Sequence, residues 1–119
     1  MIGRLDEVVI DCRDAARLAE FWLGVLGGHV VRQSHEWVAL HPPHGITVSF
    51  QVVPEEKTVK NRVHLDVDVD DLAEAIDACE RLGATRVGDI MSDELGGFQV
   101  MTDPEGNEFC LILGATPIA

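Results

Sequence analysis

Basic residues are scarce in this chain. Only nine Lys and Arg stand against 21 Asp and Glu among 119 residues, a formal net charge of −12. The nine are scattered, and a field of that sign repels nucleic acid and anionic membranes, which argues against both as partners. Cysteine is scarce as well. Cys12, Cys79 and Cys110 are an odd number at spacings that match no zinc motif. A disulfide framework is therefore not expected, and free thiols in a reducing compartment are. No apolar run approaches the roughly 20 residues that span a bilayer. Met1 to Asp11 holds no basic region followed by an apolar run, so no secretory signal is read there and a cytoplasmic protein is expected. Also missing are a Gly-rich phosphate loop, a Ser/His/Asp constellation and a nucleophile elbow.

What is present suits one folded domain, expected over residues 1–119. Hydrophobic residues make up 46% of the chain, enough for burial to offset the entropy of ordering it, and the length is too short for two large domains. Leu5 to Cys12 (LDEVVIDC) alternates Val8, Ile10 and Cys12 with Glu7, Val9 and Asp11, the period of a strand. Asp14 stands at a helix N-cap position ahead of Leu18, Phe21, Trp22, Val25 and Leu26 at helical spacing, and Gly27-Gly28 ends that helix. Three short strands are predicted next, over His29–Gln33, Glu36–His41 and Ile46–Val53. Pro54 to Lys60 is polar and reads as a linker.

The pattern then repeats at a period of about 55 residues. Arg62–Val69 alternates Val63, Leu65, Val67 and Val69 with His64, Asp66 and Asp68. Asp71-Leu72-Ala73-Glu74 is close to a capping box, Leu72, Ala75, Ile76, Cys79 and Leu82 form an apolar stripe, and Gly83 closes the helix. Strands are predicted over Thr85–Ile90, Gly97–Thr102 and Asn107–Leu113, the last two joined by the turn Asp103-Pro104-Glu105-Gly106. The order is thus βαβββ twice, an α+β chain with module one at 4–53, a linker at 54–60 and module two at 61–114. A ferredoxin-like βαββαβ chain would place two strands between its helices, where four are counted here.

Each strand has an apolar face for the helices and a more polar one. The polar faces carry Glu7, Val9 and Asp11; Thr47, Ser49 and Gln51; His64, Asp66 and Asp68; and Glu108 with Cys110. Such a face either meets solvent or lines a cavity. Trp37 falls on it, which would cost exposed apolar area on a plain wet surface. It is therefore a wall or stacking platform of a cavity, or is covered by a loop or a dimer partner. Cys12 and Cys79 fall on core stripes and read as small buried hydrophobes. Cys110 is on the polar face. Asp66 and Asp68 flank His64, either raising its pKa or standing as solvated carboxylates. His29, His35, His41 and His44 lie in a strand or in loops and read as surface.

The segments VVIDCRDAARLAEFWLGVLGG, RVHLDVDVDDLAEAIDACERLGA and MTDPEGNEFCLIL resemble the vicinal-oxygen-chelate superfamily, in particular its glyoxalase-like and bleomycin-resistance-like members. The resemblance covers nearly the whole chain. It implies two βαβββ modules forming a curved eight-stranded mixed sheet around a cavity, and a homodimer. Metal-dependent members place a ligand on the first and last strand of each module, typically His or Glu. Carried over by position these are Glu7, Gln51, His64 and Cys110, of which only His64 keeps the usual type. Glu7, His64 and Glu108 would be the catalytic candidates, and Trp37, Ser49, Gln51, Asp66 and Cys110 the ligand-binding ones.

Two functions follow from the resemblance. The first is a small-molecule-binding protein that sequesters a drug or metabolite, with no metal; the departures from the usual ligand types favour it, and the acidic balance suits a cationic ligand. The second is a metal-dependent lyase, isomerase or dioxygenase holding a divalent Zn, Ni, Fe or Mn.

Overall fold

The computed structural model describes residues 1–93 and 96–113. The chain divides into two compact units, Met1–Lys57 and Thr58–Ala119, with the division inside the 54–60 segment read as a linker.

The first unit runs β1 (Glu7–Cys12), α1 (Ala15–Leu26), β2 (His29–Arg32), β3 (Trp37–His41) and β4 (Thr47–Val52). Its strands form one four-stranded sheet in the order β1-β4-β3-β2. The β1–β4 pair is parallel and the other two pairs are antiparallel. Asp14 caps α1, its Oδ1 accepting the Arg17 amide at 3.1 Å. Leu18, Phe21 and Trp22 of α1 are buried with Val38, Leu40, Val48 and Phe50 of the sheet, and Cys12 is buried as its stripe predicted.

The second unit repeats this plan. β5 (Leu65–Asp68), α2 (Leu72–Leu82), β6 (Thr85–Asp93), β7 (Gly96–Thr102) and β8 (Glu108–Ile112) follow in order. The sheet order is β5-β8-β7-β6, with β5 parallel to β8. The eight strands expected are thus present, shared between two four-stranded mixed sheets. Asp71 caps α2 by accepting the Glu74 amide at 3.0 Å. Leu72, Ile76 and Cys79 are buried with Met101, Phe109 and Leu111. Leu82, expected on the same stripe, is 43% exposed. At about 100° per residue it lies roughly a quarter turn away from the line of Leu72, Ile76 and Cys79, at the margin of the packed face.

Two differences from the expected elements have local causes. His64 precedes β5 instead of lying within it, because pairing with β8 begins at Leu65↔Phe109. Strand β6 is longer than expected and bulges. Val87 pairs with Val100 and Met91 with Phe98, so the residues between them face only Gln99. The fully buried Gln99 answers the bulge, its Nε2 donating to the Val87 and Gly88 carbonyls, each at 3.1 Å. A bulge breaks ladder bonds, and these carbonyls find a side-chain donor in their place.

Candidate functional site

Strand alternation sorts the sheet of the second unit into two faces. Gly97, Gln99 and Met101 belong to the α2 side, since a Cβ on Gly97 would touch the Leu72 side chain at 3.5 Å. The other face is crossed by three rows, of which one is polar: Glu108 pairs with Thr102, and Thr102 with Thr85. Asp66 pairs with Cys110, and Cys110 with Val100, which pairs with Val87. One step along, Asp68 pairs with Ile112, Ile112 with Phe98, and Phe98 with Met91. The β5 margin of the face is acidic, and on β7 and β6 the side chains of Val100, Val87, Phe98 and Met91 form an apolar field.

At the acidic margin three different donors converge. One ligand atom each from His64, Asp66 and Cys110 lies within 4.8 Å of the others. His64 Nδ1 and Asp66 Oδ1 are 2.7 Å apart, with both side chains about half exposed. Asp66 thus takes the Nδ1 side of the ring and sets its orientation, as carboxylates do for working histidines. Burial and the neighbouring Asp66 carboxylate push the Cys110 thiol above its usual range, partly opposed by Lys60. A thiol so held is a neutral neighbour at rest and no pre-ionised nucleophile. Because only the thiolate alkylates, Cys110 is expected to react with iodoacetamide more slowly than a free thiol at neutral pH. The rate should rise as pH passes upward through the raised pKa. Asp66→Asn removes one cause of the rise and should speed the reaction, which mass spectrometry of the Cys110 peptide would follow.

The set fits a metal ion chemically. Imidazole, carboxylate and thiol are all zinc donors, and three protein ligands with an open position are the pattern of catalytic zinc. A bound cation would draw the thiol proton off and offset the repulsion between thiolate and Asp66.

One residue outside the expected set ties the approach to this cluster against β8. The Asn61 amide N–H donates to Glu108 Oε2 at 2.9 Å, its Nδ2 donates to Asn107 Oδ1 at 3.2 Å, and its Oδ1 accepts the Glu108 amide at 3.3 Å. These bonds tie the chain three residues before His64 to the start of β8, two residues before Cys110. Glu108, a catalytic candidate in the sequence, therefore uses a carboxylate oxygen to hold backbone. Asn61→Ala removes both side-chain bonds. It is expected to cost about 1–2 kcal/mol in urea unfolding and to shift the NMR signals of His64 and Cys110. A silent His64 would show that Asn61 does not place it.

In the first unit the polar face is organised differently. Glu7 lies opposite Thr47 and Gln51 opposite Asp11, at the two ends of the β1–β4 pair. Four residues at about 3.3 Å each put these two carried-over positions roughly 13 Å apart. Ser49 is the neighbour Glu7 does meet, its Oγ donating to Glu7 Oε2 at 2.9 Å. Ser49, opposite Val9, stands where Cys110 stands opposite Asp66, whereas Gln51 matches Ile112. Trp37 is half-buried and pairs with Gln51. Two histidines read as surface meet here: His41 Nδ1 lies 3.0 Å from Thr47 Oγ1, and the rings of His41 and His29 are 5.1 Å apart. Twelve residues separate the two in sequence, and only the β2–β3 register, His29↔His41, joins them. A separate cleft of about 400 Å³, lined by Arg13, Arg32, Ser34, His35, Val38 and Val52, opens at the N-terminal end of α1 and contains none of the expected site residues.

Comparison with known proteins agrees with this architecture. A family model described as "Glyoxalase-like domain" matches residues 7–112. No curated protein matches. Among solved structures, a glyoxalase/bleomycin resistance protein/dioxygenase family enzyme from Burkholderia phytofirmans PsJN superposes with a TM-score of 0.80 at 20% identity, covering 95% of this chain and 100% of that one. A fosfomycin resistance protein from Mesorhizobium loti gives a TM-score of 0.74 at 18% identity, with 97% and 94% covered. A mutant of the fosfomycin resistance protein from Listeria monocytogenes, complexed with Mn(II) and 1S,2S-dihydroxypropylphosphonic acid, gives 0.79 at 13% identity, with 97% and 93% covered. At such identities the likeness is one of fold. Among the described residues, no helix is long and apolar enough to cross a membrane.

Proposed function

Since the chain belongs to the glyoxalase-like domain family, we propose that it is a small-molecule-binding protein whose ligand sits on the sheet face of the second unit around His64, Asp66 and Cys110. The carrying observation is the meeting of an imidazole, a carboxylate and a thiol within 4.8 Å at the margin of an apolar surface. A few placed polar groups on an apolar wall are the usual make-up of a small-molecule site. Sequestration of a drug or metabolite needs nothing more. On the corresponding face of the first unit, Trp37, Ser49 and Gln51 are proposed as ligand contacts. The homodimer implied by the resemblance belongs to the same reading, and sedimentation is its check.

A second reading, a metal-dependent lyase, isomerase or dioxygenase, is supported by the donor set itself. A zinc ion held by His64, Asp66 and Cys110 would polarise substrate oxygens as a Lewis acid. His64 is then the candidate to move a proton at that ion, and Glu7, bonded to Ser49, is the corresponding candidate on the first unit's own face. The protein purified without a metal-binding tag decides between the two. Near one equivalent of metal per chain by mass spectrometry, lost in His64→Ala and in Cys110→Ser, is the outcome for the enzyme. Metal-free protein whose melting temperature rises with members of a small-molecule library, an effect lost in Asp66→Ala, is the outcome for the binding protein. Metal-free protein that no library member stabilises counts against both.

A further inference from the structure

The two-sided character of the second unit's face carries information about what it would hold. On the β7 and β6 side, Met91 is 54% and Val87 45% exposed, with Phe98 and Val100 half-buried between them and β8. Exposed apolar side chains grouped on one sheet face mark a contact surface. On the β5 side stand Asp66 and Asp68, both exposed and both pointing to this face.

The charges facing this surface are unequal. His64 is bonded to Asp66, and Lys60 lies close enough to Cys110 to oppose the rise of its pKa. Glu108 also faces this side and gives a carboxylate oxygen to the Asn61 amide. Asp68 stands one step further along, next to Ile112 and in line with Phe98, on the side of the face away from Lys60 and His64. The chain as a whole carries −12, so its field concentrates cations and repels anions.

Resting on the reading of this face as the binding site, we infer that the ligand is an amphipathic organic cation. Its ammonium head sits between Asp66 and Asp68, and its apolar body lies across Cys110, Val100 and Phe98 towards Met91. Strands spaced about 4.8 Å apart make the path from β5 to β6 about 14 Å long, enough for one aromatic ring and a short alkyl chain. Burying the body against Phe98 and Val100 supplies the apolar gain. The carboxylates select the sign of the head, because an anionic head would meet Asp66 and Asp68 as like charges. A short charged probe without the body would lose the apolar gain.

The test uses the full chain and four probes: 4-phenylbutylamine, 4-phenylbutanol, 4-phenylbutanoate and n-butylamine. Each is titrated by two-dimensional amide NMR. The expected result is that 4-phenylbutylamine shifts signals of β5, β7 and β8 and binds about tenfold more tightly than the alcohol, a difference of about 1.4 kcal/mol. The butanoate should bind more weakly still, and n-butylamine least. Asp66→Asn combined with Asp68→Asn, two changes at exposed side chains, should bring amine and alcohol to equal affinity, with the amide spectrum of the variant as the check that it is folded. Equal binding of amine, alcohol and butanoate to the unaltered chain overturns the cationic ligand and leaves the site in place. If no probe moves a signal of this face, the site reading falls, and the inference with it. A second copy seated on the face, seen as a dimer that Met91→Glu dissociates and that the amine does not disturb, likewise overturns it.

Discussion

Asp103→Ala should cost on the order of 4 kcal/mol, a large share of the 5–15 kcal/mol that holds a domain of this size together. Asp103 is 3% exposed. Its Oδ1 accepts the Glu105 amide at 2.9 Å, the Asn107 amide at 3.0 Å and Asn107 Nδ2 at 3.2 Å, and Oδ2 accepts that Nδ2 at 3.0 Å. Hydrogen bonds to a charged group contribute about 1.5–3 kcal/mol each, and a buried donor left without a partner costs about 1–3 kcal/mol. Alanine strands the Asn107 donors, which are buried. The damage should also travel. The Asn107 side chain, held by Asp103, offers its Oδ1 to Asn61, and Asn61 ties the approach to His64 against the start of β8. Urea unfolding would read the stability, and amide NMR the displacement of His64. Asp103→Asn keeps an acceptor at Oδ1 and should lose clearly less. A loss below about 1 kcal/mol in Asp103→Ala would show that solvent replaces the carboxylate and that the turn stands without it.

Gly28→Ala should be nearly as damaging, for a reason of space. Gly28 has φ +94, a backbone conformation that costs an L side chain about 1–2 kcal/mol. A Cβ there would collide with the His41 carbonyl oxygen and come within 2.8 Å of the His41 carbonyl carbon and 2.7 Å of Pro42 Cα. These are backbone atoms, and no side-chain rotation relieves them. The chain can yield only by moving the start of β2 away from the end of β3, where His29 pairs with His41. A total near 3 kcal/mol or more is expected by urea unfolding. Gly27→Ala makes a fair control. Its φ is +73, but the nearest atom to a Cβ is Pro43 Cδ at 3.9 Å, so only the conformational cost applies. Equal losses in the two variants would mean that the close approach to His41 is unimportant.

These two positions show where the sequence was readable and where it was not. Gly27-Gly28 is legible as a helix end, because a positive φ after the last turn is a local need. That Gly28 also lies under the His41 carbonyl depends on how the chain comes back thirteen residues later. The Asp103-Pro104-Glu105-Gly106 turn is legible from its residue types, whereas the Asn61 clasp is not, since it joins residues 46 and 47 apart. Gln99 shows the same limit. Its side-chain bonds answer a bulge on the neighbouring strand that no local pattern announces.

The candidate site was half legible. Alternation placed His64, Asp66, Glu108 and Cys110 on one face; the ladders agree for Asp66, Glu108 and Cys110, and His64, ahead of β5, joins them through its contact with Asp66. It could not say which of them stand side by side. A slip of two residues between neighbouring strands leaves every side chain on its face, so periodicity is blind to it. Gln51 is carried over as a ligand position on the last strand of module one, and it is the β1–β4 register that sets Ser49 beside Glu7.

By itself, then, the amino-acid order determined the two βαβββ repeats, the caps Asp14 and Asp71, the buried stripes and the polar faces. Each follows from contacts within a few residues or from a fixed period along the chain. Only the tertiary structure decided the registers, and through them the meeting of His64, Asp66 and Cys110 and the division of that face into an acidic margin and an apolar field. Register is set by the sum of ladder bonds, core packing and clasps such as Asn61, and those terms join residues that the chain keeps far apart.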